Sequence, residues 1–171
     1  MERVSLSETN MSKHFKKGIG LIEVVVGAAI IVAAILALIS TYKTYVSYAL
    51  NNSKNVQAAL LAEEGIEAVK FIRDSGWTAN ITPLSPSSTY YLSWSSNKWN
   101  LTTTAQPYVD GMFLRTVAVT AVTRNASTQD IASTGTNDVN TKKVTVSVAY
   151  RTSSGTTTSS VSTYITNLFA N

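Results

Sequence analysis

The sequence predicts an α+β fold in which one long N-terminal helix packs on a small antiparallel β-sheet. Three observations predict it. Residues 19–39 form a continuous apolar run, no Gly or Pro interrupts the chain between Ala28 and Glu64, and beyond Trp77 the composition turns to Ser, Thr, Tyr and Val in alternating order. Freedom from those two breakers favours a helix, and alternation favours half-buried strands.

The chain opens on a basic stretch, residues 1–18, with Arg3, Lys13, Lys16 and Lys17 set against Glu2 and Glu8. It leads into Lys16-Lys17-Gly18-Ile19-Gly20-Leu21-Ile22-Glu23, so a lone carboxylate stands just inside the apolar run. At 1.5 Å per residue, residues 19–39 make about 32 Å of helix, enough for a bilayer core of about 30 Å. The thirteen Ile, Leu and Val residues there contribute about −0.3 to −0.6 kcal/mol each, which outweighs one acid at about +3 kcal/mol. Insertion is expected despite Glu23.

Ionisable groups inside membrane segments normally pair with something. A cut between Gly18 and Ile19 would create the partner, because a new α-amino group with a reference pKa of about 7.7–8.0 is largely protonated at neutral pH. Glu23 can neutralise its own amine or that of a neighbouring identical span, and the second choice sets an axial stagger between subunits. An ordinary secretory signal has an apolar core of only about 7–15 residues. A plain signal anchor would leave both Glu23 and the abrupt Gly18 boundary unexplained.

At these residues the chain resembles the type IV pilin and pseudopilin family, whose precursors carry a short basic leader ending in Gly and a Glu five positions after the cut. Gly18, Ile19, Leu21-Ile22 and Glu23 carry the match; Ile19 stands where Phe is usual and Gly20 where Thr is common. The resemblance implies that a prepilin peptidase cuts after Gly18 and methylates Ile19. It further implies a pilin-like fold, and as partners other pilin subunits, the inner-membrane pilus assembly platform and, before assembly, the lipid bilayer. Residues 60–77, LLAEEGIEAVKFIRDSGW, also resemble a recurrent stretch of minor pilins of the pilus-modification type.

Removing four cations and two acids with the leader lowers the formal charge from +4 to +2, so charge gives no reason to expect a nucleic-acid site. The lysines beside the span hold that end in the cytoplasm by the positive-inside rule. This predicts a single-pass protein of the cytoplasmic membrane with residues 40–171 outside, about one domain's worth of chain. There is no Cys, and the only His is His14 in the leader. The remaining chain lacks the commonest zinc ligands and the usual base for a Ser or Cys nucleophile, so neither an enzyme nor a cofactor is expected.

Past the membrane the helix is expected to continue as an amphipathic half, residues 40–76. A stripe of Ala49, Ser53, Val56, Leu60, Leu61, Gly65, Ala68, Val69 and Ile72 would face the head. Asn51-Asn52-Ser53 is its weakest helix-forming stretch, where fraying or a bend is expected. Glu63, Glu64 and Glu67 with Lys70 and Arg73 read as a solvated, salt-bridged face, with an acidic patch that contacts another subunit as the functional alternative. Gly76 fits the position just after a helix, and Trp77 reads as a core anchor.

The β-rich head, residues 77–171, is expected to hold four strands, at 90–94, 112–123, 142–152 and 158–168. Val117, Val119, Ala121 and Thr123 should share one face, as should Val144, Val146 and Val148. Asp110-Gly111 and Ser153-Ser154-Gly155 supply turns. Residues 78–88, with Pro83 and Pro86, either contact a neighbour or cap the helix. Residues 125–140 read as an exposed polar linker whose Asp130 and Asp138 lack the dense acidic pattern of a calcium loop. Tyr90, Tyr91, Trp94 and Trp99 read as core aromatics, with an adhesive patch as the alternative.

These readings describe a structural subunit of a type IV pilus or a related filament, a minor pilin first, that ends in a cell-surface filament. A type II secretion-like pseudopilin in an envelope pseudopilus is the nearest alternative, and a membrane-anchored β-rich binding domain that does not assemble is the alternative of another class.

Overall fold

The structure, a computed structural model, describes residues 20–152 and 155–168. Lys16, Lys17, the Gly18-Ile19 junction and the Ser153-Ser154 turn lie outside the described residues. The chain divides into two compact units, Met1–Val46 and Ser47–Asn171.

One helix, α1 (Leu21–Asp74), runs through 54 residues. It is continuous at Asn51, Asn52 and Ser53, so the fraying expected there does not occur. Extending an existing helix adds one hydrogen bond per residue fixed, so three weak formers inside a long helix cost less than a new nucleus.

In the second unit α1 buries Ala58, Ala62, Gly65, Ile66, Ala68, Val69 and Ile72. The second half of the expected stripe, Gly65, Ala68, Val69 and Ile72, is buried as expected, but its first half is out of phase: Val56 and Leu60 are 53% and 60% exposed, and Ala49 and Ser53 are exposed as well. Both phases repeat at four-residue spacing, and the sheet selects the one whose small side chains let the helix approach closely. Lys54 Nζ donates to the carbonyl of Arg151 at 3.4 Å, while Gly65 lies against Val146. The packed half of α1 therefore runs antiparallel to the strand that holds those two residues.

The end of α1 is well satisfied. Ile72 O accepts from Ser75 Oγ at 2.8 Å and from Asn80 Nδ2 at 3.2 Å, and Gly76 N donates to Arg73 O. Gly76 has φ +147, a conformation that a side chain would disfavour. It turns the chain into the single-turn helix α2 (Trp77–Asn80), where Trp77 is buried as expected.

The sheet comprises β1 (Thr89–Ser95), β2 (Lys98–Thr102), β3 (Phe113–Arg124), β4 (Ile131–Ala132), β5 (Thr136–Thr152) and β6 (Gly155–Thr166). Its order is β2-β1-β3-β5-β6, with β4 on β3, and every pairing is antiparallel. Val117, Val119, Val144, Val146 and Val148 are fully buried between sheet and helix, together with Phe113, Ile81 and Ile165.

Three strand expectations need correction. A register shift between Ala121 and Val122 turns Val122 inward and leaves Ala121 exposed, because a bulge reverses the alternation beyond it. The linker expected at 125–140 is partly strand, since β4 lies within it and β5 starts at Thr136. Finally, β2 forms where no strand was expected. Ser96 and Asn97, at φ 51 and 59, close a two-residue turn that pairs Ser95 with Lys98 and Trp94 with Trp99.

Candidate functional site

The sequence points first to the N-terminal half of α1. Its hydrophobic surface is bare: Leu21, Ile22, Val24, Ile30, Ile31 and Leu38 are all more than half exposed. The most apolar 18-residue window has a mean hydropathy of 2.9 and no buried residue. A helix apolar on every side belongs in a protein core or a bilayer. With no core around it, the length and composition fit a single membrane crossing near the N-terminus.

Glu23 occupies the first turn, where Glu23 N and Val24 N both donate to Gly20 O, at 2.9 and 3.3 Å. The positive end of the helix dipole favours a carboxylate there. Glu23 is exposed and has no ion pair among the described residues. The carboxylate is therefore presented at the start of the apolar surface and free to meet a cation from outside the described residues.

Sequence reasoning passed over Tyr42 and Tyr45, 68% and 72% exposed directly after the apolar run. Tyrosines concentrate at membrane–water interfaces, where the ring meets the headgroups. The signal was present in Thr41-Tyr42-Lys43-Thr44-Tyr45.

A second group of candidate residues gathers in the head. Lys70 pairs with Glu67 at 2.7 Å, as the salt-bridged face predicts, and Arg73 pairs with its neighbour Asp74. Glu64 instead reaches across to the sheet, with Arg115 Nη1 at 3.2 Å from its carboxylate. The Arg115 side chain is only 8% exposed. It also donates to Leu61 O and lies over the Trp99 ring, 5.5 Å from its centroid.

The four aromatics divide. Tyr90 is a core residue whose hydroxyl accepts from Ser85 N at 2.7 Å, and Tyr91 is half-buried. Trp94 is 57% exposed and meets Trp99 edge-on at 5.3 Å. With Phe71, 56% exposed, these two tryptophans line a groove of about 350 Å³ whose other walls are Glu64, Glu67 and Ala68. The loop at 78–88 caps the helix end, since Ile81 is fully buried and Leu84 packs against the core.

Asp138 is tied to Arg124 at 2.6 Å. Hydrogen bonds from Thr141 and then from Arg124 hold its carboxyl below the usual carboxylate range. Among the described residues no group of three His, Cys, Asp or Glu side chains is placed to hold a metal. No protein-family model, curated protein or solved structure matches the chain.

Proposed function

We propose that this protein is a structural subunit of the type IV pilin class, a minor pilin first, made as a precursor, cut between Gly18 and Ile19 and methylated on Ile19 by a prepilin peptidase. One observation carries the reading: a single helix begins with an unburied apolar half that holds one acid in its first turn, while its later half is packed on an antiparallel sheet.

Before assembly the apolar half spans the cytoplasmic membrane, with Lys16 and Lys17 inside and the head outside. Burying Glu23 in a bundle of such helices needs a counter-charge, and the protonated amine of Ile19 on a neighbouring subunit supplies it. Helices in a bilayer gain little from apolar burial alone, so association relies on close packing at small residues. Gly27, Ala28, Ala29, Ala33, Ala34 and Ala37 provide these. The partners are then other pilin subunits and the assembly platform, and the destination is a surface filament or, in a secretion system, an envelope pseudopilus. An exposed tryptophan groove on the head also favours the other-class reading, an anchored binding domain that does not assemble.

Glu23→Ala separates these readings. In cells with an active prepilin peptidase and filament machinery, the proposal expects the variant to be cut normally, to remain in the membrane, and to be missing from sheared surface filaments that contain the unmodified protein. Incorporation of the variant at the normal level would overturn the pairing, and absence of both forms from filaments would favour the anchored domain.

A further inference from the structure

We infer that the groove between α1 and the β1–β2 hairpin is a docking site for a basic side chain, foremost an arginine, presented by a partner protein. The inference stands apart from filament membership, because it concerns the head alone.

Two independent elements build the groove. Glu64, Glu67, Ala68 and Phe71 recur at three- and four-residue spacing and so form one stripe of α1. Trp94 and Trp99 face each other across the hairpin, held there by the tight turn at Ser96-Asn97. Surface apolar residues scattered singly need no explanation, but Phe71 and Trp94 are each more than half exposed and line one concavity.

The chemistry of the occupant follows from the groove's inner wall. There the protein already holds a cation in the manner proposed: the Arg115 guanidinium lies over the Trp99 ring and pairs with Glu64. One step outward the same kinds of group recur, with Trp94 and Phe71 presenting rings to solvent and Glu67, 70% exposed, supplying a carboxylate. An aromatic face attracts Arg or Lys through its quadrupole, and the guanidinium plane stacks best.

Local charge agrees. The charged residues that line the groove, Glu64 and Glu67, are both acidic, and each already attracts one cation, Arg115 and Lys70 respectively. The Lys70–Glu67 bridge is a surface pair of the kind worth about 0–1 kcal/mol, so an incoming guanidinium can share or displace it. Tryptophan and arginine are also the residues that most often dominate protein interfaces.

The test uses the full chain in detergent micelles and a synthetic peptide of alternating arginine and glycine, with a citrulline-for-arginine peptide as the neutral isostere. The three indole N–H resonances, from Trp77, Trp94 and Trp99, report the location. The arginine peptide is expected to shift those of Trp94 and Trp99, leave that of buried Trp77 in place, and weaken as salt is added. Trp94→Ala and Glu67→Gln should each lower the affinity about two- to fivefold, the scale of one exposed cation–π contact, whereas Trp94→Phe should retain most of it. Equal shifts with the citrulline peptide, equal affinity in Glu67→Gln, or a response to neutral maltohexaose in place of the arginine peptide would overturn the inference.

Discussion

Gly65 of α1 lies so close to Val146 of β5 that a β-carbon added to the glycine would stand 2.7 Å from Val146 Cγ1 and 3.3 Å from Arg115 Cδ. Val146 is fully buried and held on both sides by β3 and β6, so it has little room to yield. This contact sets how near the helix approaches the sheet.

Gly65→Ala therefore tests the packing. Alanine would favour a helix by about 1 kcal/mol, but overpacking of a filled core costs about 1–3 kcal/mol. The expected balance is a net loss of stability, read as a lower melting temperature of the head by near-ultraviolet circular dichroism. Gly27→Ala, where nothing lies within 4 Å, should leave that transition unchanged.

Two tryptophans should behave oppositely. Trp77 is buried against the core, and Trp77→Ala should cost about 3–5 kcal/mol in denaturant unfolding. Trp94 is largely exposed, and Trp94→Ala should stay within about 0.5 kcal/mol of the unmodified protein. A large loss at Trp94 would mean that the groove is part of the core.

The β1–β2 turn offers a gain. Ser96 and Asn97 both adopt positive φ, the backbone of a tight hairpin turn for which Asn-Gly is the favoured pair. Ser96→Asn combined with Asn97→Gly should raise the melting temperature, with Trp94 and Trp99 still in edge contact by indole NMR shifts.

Acid should loosen the start of β5. Folding depresses the Asp138 carboxyl, through hydrogen bonds from Thr141 and Arg124. Its contribution to stability is thus complete above the unfolded value of about 3.9 and is lost as pH falls through the lower folded value. The stability difference between the unmodified protein and Asp138→Asn should hold steady from neutral pH down to mild acid and shrink below about pH 3.9.

Much of the fold is written in periodicity that one residue type dominates. Val144, Val146 and Val148 alternate without interruption, and β5 follows their pattern; Gly and Pro are missing across most of α1, and the helix runs through. Where two phases or two partners compete, local pattern does not decide. Val56 and Leu60 repeat as regularly as Ala58 and Ala62, and only packing of the head's core selects the smaller pair. The bulge at Ala121/Val122 and the Ser96-Asn97 turn depend on backbone geometry that Ala, Val, Ser and Asn do not announce. For the candidate site, Glu23 was legible because a charge in an apolar run stands out. The groove was not, because Arg115 lies 51 residues from Glu64 and 54 from Leu61 in sequence and meets them only after folding.

The central claim is that Gly18-Ile19 is a processing junction whose product assembles through α1. Intact mass and N-terminal sequencing of the protein from cells with and without an active prepilin peptidase test it most directly. The account predicts a chain that begins at Ile19, carries one added methyl group, and occurs only when the peptidase is present. A chain that still begins at Met1 in both cells, or one cut beyond the apolar run, would contradict it.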